Sequence, residues 1–413
     1  MMGKRRQSKA QKDQIAKEIR EIKRQHSRRG PSMDLVRQTS LTRQASLSKQ
    51  LSQRTPMALQ KQPRPSPDPE FILRGHRTDV QALLFHPQLD LLYSGDAEGG
   101  LLIWDLQQRR PVSSRRLHPP SAGVLSLAWL DNMLLSQGRD GAIKGWAIAD
   151  DGSCSRDPIL VVQTYSYNFC RCSVIPSAPG TLEERLSSGD AAQPKQDTTP
   201  RTEGVRKAWL LGLAGSDPAT VELWKVVGSE AARWKELKQR EEAKMGMCMA
   251  LQLFKISDSE AVYAAAGYED GTVAVWDADE ADSPIMSSRL HSEPIMALTI
   301  DPSGKGGVSS SAEDRLAVFS IEWDKLELHK QADIPLKKPG VAALAQRHDG
   351  KVLASAGWDG RVRLFHRKTQ RPLAVLQYHR SGVQDVCFDQ KSKLLASASK
   401  DGSIALWSVF TDT

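Results

Sequence analysis

"LLASASKDGSIALWSV" (residues 394–409) joins two apolar, alternating runs through a Lys-Asp-Gly. Asp-Gly between such runs marks a tight turn between antiparallel strands, because Gly accepts positive φ without a steric penalty. Ser397, Asp401 and Trp407 stand 18, 22 and 28 residues after His379. The same count begins at three other histidines. His76 leads to Ser94, Glu98 and Trp104; His118 to Ser136, Asp140 and Trp146; His291 to Ser309, Glu313 and Phe319. Four agreements at three offsets indicate a repeated unit, not one site.

Three further segments keep only the second half of the unit. "LAGSDPATVELW" ends at Trp224, "AAGYEDGTVAVWD" places Asp270 six residues before Trp276, and "ASAGWDGRVRLF" places Asp359 six before Phe365. Neighbouring terminal aromatics lie 42 to 52 residues apart, except for 78 between Trp146 and Trp224. That gap holds a polar, Pro- and Ser/Thr-rich stretch, 176–206, expected to be a disordered loop insertion. Strand-like units at this period resemble the blades of a WD40 propeller. One four-stranded blade cannot cover its own faces, whereas blades stacked radially cover one another. Residues 67–413 are therefore expected to form an all-β, seven-bladed WD40 propeller. "EFILRGH" precedes the first unit, and Phe71, Ile72 and Leu73 are expected to complete the last blade as its outer strand. In such propellers the His, Ser, acid and Trp of a blade form a hydrogen-bonded chain. The four sets are thus predicted to be scaffold. Ser, His and Asp together also suggest a hydrolase, but a single active site would not recur blade after blade beside an aromatic.

The chain has 413 residues and a formal charge of +8. Residues 1–66 hold 17 Lys and Arg against four acids, a net of +13, which leaves 40 bases and 45 acids, or −5, for the rest. The basic segment has no Phe, Tyr or Trp and is predicted to be a disordered tail. Its one helix-like pattern is Ile15, Ile19 and Ile22. Arg-x-x-Ser recurs there, making Ser8, Ser27, Ser32, Ser40 and Ser46 candidate phosphorylation sites for basophilic kinases. Without stacking groups, nucleic-acid binding by the tail is expected to be at most nonspecific. The longest apolar run, "AWLLGLAG" (208–215), falls well short of the ~20 residues of a membrane helix. Five cysteines suggest a reducing compartment with free thiols. Cys170 and Cys172 are expected on one face of a strand, as thiols and not metal ligands. "GSEAARWKELKQREEAKMGM" (228–247) is expected to be a solvated helical loop, and "DPSGKGGVSS" (301–310) a hairpin turn, since it lacks the spacing of a phosphate loop. No catalytic residue, metal or cofactor is predicted. Propellers commonly meet partners at the narrower face, around the channel. The residues just before the turn acids, Arg139, Glu269, Trp358 and Lys400, are the candidate interface.

The stretches "PDPEFILRGH" (67–76), "LLSQGRDG" (134–141), "KMGMCMALQLF" (244–254), "AGYEDGTVAVWD" (266–277), "LASAGWDGRVRLFHRKTQRPLAVLQYHRSGVQDVCF" (353–388) and "SASKDGSIALWS" (397–408) resemble the G-protein beta-subunit-like protein 1 family, called ASTRA-associated protein 1 in fungi. The resemblance implies a non-enzymatic adaptor. Its expected partners are the co-chaperone machinery that matures phosphatidylinositol-3-kinase-like kinases and an ASTRA-type chromatin assembly. The protein is expected to be nuclear with a cytoplasmic pool, and its propeller monomeric. The alternative is a reader of a modified peptide or histone tail through the channel face, which an aromatic cage or acidic pocket would mark.

Overall fold

The structure, a computed structural model, describes residues 66–166, 169–177, 207–240, 242–256, 259–280 and 283–409. The expected disordered tail with its five candidate phosphosites, and residues 178–206 of the expected insertion, lie outside the described residues. The chain enters at Phe71–Arg74 (β1). Blade 1 is β2 (Val80–Phe85), β3 (Leu91–Asp96), β4 (Gly100–Asp105) and β5 (Arg110–Arg116). Blade 2 is β6 (Val124–Leu130), β7 (Met133–Gly138), β8 (Ala142–Ala147) and β9 (Leu160–Gln163). Blade 3 is β10 (Ser173–Pro176), β11 (Ala208–Ala214), β12 (Val221–Val227) and β13 (Glu230–Leu237). Blade 4 is β14 (Cys248–Lys255), β15 (Val262–Tyr268), β16 (Thr272–Asp277) and β17 (Met286–Arg289). Blade 5 is β18 (Ile295–Ile300), β19 (Gly306–Ser311), β20 (Arg315–Glu322) and β21 (Glu327–Pro335). Blade 6 is β22 (Val341–Gln346), β23 (Val352–Gly357), β24 (Arg361–His366) and β25 (Pro372–Gln377). Blade 7 is β26 (Val383–Phe388), β27 (Leu394–Ser399) and β28 (Ser403–Ser408), and its fourth strand is β1.

The ring closes as the sequence predicts. Phe71 pairs with Leu406, Ile72 with Ala405 and Leu73 with Ile404. Ser66 pins the incoming chain to blade 6, its hydroxyl donating to the Val375 carbonyl (2.6 Å) and accepting from the Gln377 N–H (3.1 Å).

The core lies between blades, so the second strands are covered on both faces. β23 is buried along its whole length and is built from small residues, VLASAG. Small side chains are needed where the next blade approaches. A Cβ on Gly95 would sit 2.5 Å from Val124, and one on Gly267 2.5 Å from Ile295. Outer strands face water and are charged; β5 reads RPVSSRR and is largely exposed. This explains a departure from the sequence reading. Residues 230–237, expected to be helical, form β13, whose Ala231 pairs with Val226 and Arg233 with Trp224. The open edge of β12 overrides the helix propensity of EAARWKEL, as pairing and packing commonly do. Residues 301–305 make the hairpin turn expected between β18 and β19.

A candidate partner site at the channel mouth

Four hydrogen-bonded chains rivet the turn face. In blade 2, the Trp146 indole N–H donates to Ser136 Oγ (2.9 Å), which contacts His118 Nε2 (2.8 Å), while His118 Nδ1 meets the Asp140 carboxylate (3.0 Å). An ionised carboxylate only accepts, so Nδ1 carries the proton, Nε2 accepts from the serine, and the serine oxygen accepts from the indole. Burial pushes the His118, His291 and His379 imidazoles below their usual pKa, against the pull of the neighbouring acids, which keeps them neutral at pH 7. Ser94, Ser136, Ser309 and Ser397 are fully buried and committed to these chains, so none is presented as a nucleophile.

The sets differ in chemistry. In blade 1, Trp104 donates to Ser94 (2.7 Å) and Ser94 contacts His76 Nε2 (2.6 Å). The acid is Asp96, 2.9 Å from His76 Nδ1, and not the expected Glu98, which is exposed. Asp96 ends β3 and its other oxygen accepts from the N–H groups of Glu98 and Gly100 (3.0 and 2.8 Å), so a shorter acid two residues earlier does the work. In blade 5, Glu313 meets His291 at 2.9 Å, but Phe319 has no N–H to give Ser309. In blade 7, Ser403 is inserted: His379 Nδ1 lies 3.1 Å from its hydroxyl, which donates to Asp401 (2.5 Å). The blades without the histidine use other partners. Trp224 donates to Glu222 (2.9 Å), Trp276 to the Lys238 carbonyl (3.3 Å), and Asp359 is held by Arg363 (3.0 and 2.6 Å).

Arg139, Glu269, Trp358 and Lys400 occupy equivalent places. Each backbone N–H donates across the turn face to the loop before its own blade: to Gly123 (3.1 Å), Met247 (3.0 Å), Gly340 (3.0 Å) and Gly382 (3.0 Å). All four side chains are exposed. Trp358, 44% exposed, lies on Gly340, where a Cβ would come within 2.0 Å of the ring; the φ of +87° there suits glycine alone.

Sequence reasoning named the channel face but missed most of the residues that line it. In six inner strands the register shifts at the second residue, and such bulges re-aim a side chain. Of the residues so placed, Leu125, Met249, Met296, Ala342 and Gln384 line a well of about 240 Å³ at the turn-face mouth. In blade 3 the corresponding residue is Arg171. It crosses the channel to blade 7, where one Nη contacts the Asp385 carboxylate and the other donates to the carbonyls of Gln384 (2.9 Å) and, in blade 1, Gln81 (3.0 Å). Asp385 also accepts from the Leu83 N–H (2.8 Å). The flanking cysteines do not share a strand face. Cys170 Sγ lies 3.8 Å from Cys248 of blade 4, and Cys172 Sγ 3.2 Å from Ser126 Oγ of blade 2. Gln137 holds this segment in place, donating to the Cys170 carbonyl (3.0 Å) and accepting from the Cys172 N–H (2.8 Å). At the rim, the Arg139 guanidinium sits 5.0 Å above the ring of Phe169, which is 57% exposed. Only a repeat alignment of Cys170-Arg171-Cys172 with Cys248-Met249-Ala250 would have signalled this.

The comparisons agree with the architecture. A family model described as "WD domain, G-beta repeat" matches residues 67–105, 335–366 and 370–408. The mouse (Mus musculus) protein "Guanine nucleotide-binding protein subunit beta-like protein 1" is 33% identical over 356 residues, covering 84% of this chain and 97% of its own length. This chain belongs to the guanine nucleotide-binding protein subunit beta-like protein 1 family. Relatives named "ASTRA-associated protein 1" share 28% identity in Schizosaccharomyces pombe, over 83% of this chain and 99% of theirs, and 28% in Aspergillus niger, over 78% and 81%. Among solved structures, the Cps50 (Swd1) β-propeller domain of Myceliophteria thermophila superposes with a TM-score of 0.61 at 17% identity, over 82% of this chain and all of that one. That likeness concerns the fold.

Proposed function

We propose that this protein is a non-catalytic adaptor that serves the co-chaperone machinery maturing phosphatidylinositol-3-kinase-like kinases and takes part in an ASTRA-type chromatin assembly, working in the nucleus with a cytoplasmic pool. The observation that carries this is the near full-length match to beta-like protein 1 together with relatives named for ASTRA association. The geometry supports it from another side. The Ser–His–acid sets are bonded into the ring, while Arg139, Glu269, Trp358 and Lys400 stand exposed around one channel mouth, where a partner would dock. Among the described residues the well there is lined by one aromatic, Phe169, and by no acid, which disfavours the reader of a basic or methylated tail. Affinity purification of the full chain, and of the chain lacking residues 1–66, read by mass spectrometry, tests the assignment. Kinase-maturation factors and ASTRA-type subunits are expected with both; their absence from both contradicts it.

A further inference from the structure

The two mouths of the channel differ in charge and in what they leave unpaired. The opening at the inner strands' far ends, about 540 Å³, is lined by both signs: Lys255 and Arg347 with Asp301 and Asp389. Its charges are largely answered from within, as by Arg367 on Asp301 (2.7 Å) and Asp349 on Arg347 (2.6 Å). The turn-face well is different. Among the described residues its only charged lining residues are Arg139 and Arg171. Arg171 is occupied by Asp385, but Arg139 meets no carboxylate among the described residues; its recorded contact is the face of Phe169. Glu269, on the same face, turns its carboxylate onto the Met247 N–H (3.4 Å).

We propose that this mouth holds an acidic segment of a partner protein, with a Leu- or Met-like side chain in the well and an adjacent carboxylate on Arg139. The proposal rests on the adaptor function and names the chemistry of the segment that the adaptor holds. Three features select that chemistry. The well is smaller than the ~300–1,000 Å³ usual for small-molecule sites, and so suits a side chain. Its walls are Met249, Leu251, Met296, Leu298, Ala343 and Leu344, apolar and, at the methionines, adaptable. A guanidinium stacked on a ring is held flat with its N–H edge free, the arrangement that takes a carboxylate in bidentate fashion. A polynucleotide would satisfy Arg139 but has no aliphatic group for the well.

The test uses the full chain and three short fluorescent Gly/Ser peptides with central Asp-Leu-Asp, Lys-Leu-Lys or Asp-Ala-Asp, followed by anisotropy up to millimolar protein. Asp-Leu-Asp is expected to bind at least about tenfold more tightly than either analogue. Arg139→Glu should shift the preference to Lys-Leu-Lys, and Met296→Trp, which fills the well, should abolish the advantage of Leu over Ala. Lys368→Glu, in the exposed turn between β24 and β25 and outside both the well and the candidate interface, should change affinity by less than about twofold, because exposed charges are screened over ~8 Å. Equal binding of the three peptides, no saturable binding of any, or an unchanged preference in Arg139→Glu overturns the proposal. Tighter binding of single-stranded DNA than of Asp-Leu-Asp, lost in Arg139→Glu, also overturns it by assigning the mouth to nucleic acid. Failure of the purification experiment with peptide selectivity intact would instead remove the adaptor assignment and leave the site chemistry standing.

Discussion

A single buried serine shows what each blade's polar chain contributes. Ser397 joins Trp407 Nε1 (2.9 Å) to His379 Nε2 (2.8 Å), so Ser397→Ala leaves two buried groups without partners. Ser309 in blade 5 serves only His291, because its aromatic is Phe319. Each stranded group costs about 1–3 kcal/mol, so Ser397→Ala should destabilise more than Ser309→Ala by roughly one such increment in urea unfolding. Equal effects would mean that the indole N–H is not part of the chain. The histidines also set a pH dependence. His118, His291 and His379 have depressed folded pKa values, whereas the unfolded chain takes up protons near the ordinary 6.5. Stability from this source is complete above that pH and declines as pH falls below it, since the unfolded state then binds more protons. Asp96, Glu313 and Asp401 add to the loss further down. Burial alone would raise their carboxyls, but hydrogen bonds from His76 to Asp96, from Arg315, Ser292 and His291 to Glu313, and from Ser403 and the Arg380 N–H to Asp401 hold them low, so their share disappears as pH drops through the carboxylate range. Urea midpoints should therefore fall steadily from about pH 7.5 to about pH 4; a flat profile would contradict the buried neutral imidazoles. At this scale fixed offsets in the sequence located the histidines and serines, yet they took Glu98 for Asp96, because the acid that meets His76 stands 20 residues after it and not the 22 of the other blades. The replacements in blades 3, 4 and 6 were not legible, since Glu222, a backbone carbonyl and Arg363 share no common spacing.

Strands that join non-neighbouring parts of the chain carry the second set of predictions. β1 supplies Leu73 to a core shared with Ile404, Leu406, Val80 and Trp104, all buried. Deleting residues 67–74 should expose the β28 edge and abolish cooperative melting, while deleting residues 1–60 should leave the melting temperature within a degree or two of the intact chain's. The closing strand was readable because "FILR" is an apolar run placed just ahead of the first histidine. β13 was not, because outer strands face water and their sequence carries little of the alternation that marks a strand. Arg171 makes a bond of another kind, from blade 3 across the channel to blades 7 and 1. Arg171→Ala would leave the Asp385 carboxylate, only 8% exposed, without its cation. The cost should be about 3 kcal/mol, at the low end for a broken buried pair because the arginine is partly solvated. Asp385→Asn in the same chain should recover part of it. No recovery in the double variant would mean that the arginine acts through the carbonyls of Gln81 and Gln384 instead.

For the whole molecule the sequence announced the number of blades, because seven terminal aromatics recur 42 to 52 residues apart but for one insertion, and their closure, because an apolar run precedes the first unit. It did not announce which residues line the channel. Channel residues come from bulges, and a bulge changes which way a side chain points without changing the residue pattern. The assignment of a partner site to the turn-face mouth therefore depends on the ring being closed in the register described. Paired cysteines test that directly. Ile72 and Ala405 are opposite one another in β1 and β28, at the junction where the first described strand meets the last. Ile72→Cys with Ala405→Cys, in the full chain under a mild disulfide oxidant, should give an intramolecular cross-link between residues 72 and 405 that is recovered by peptide mapping and raises the melting temperature. Persistence of both free thiols, or cross-links only between molecules, would contradict the closed seven-bladed ring.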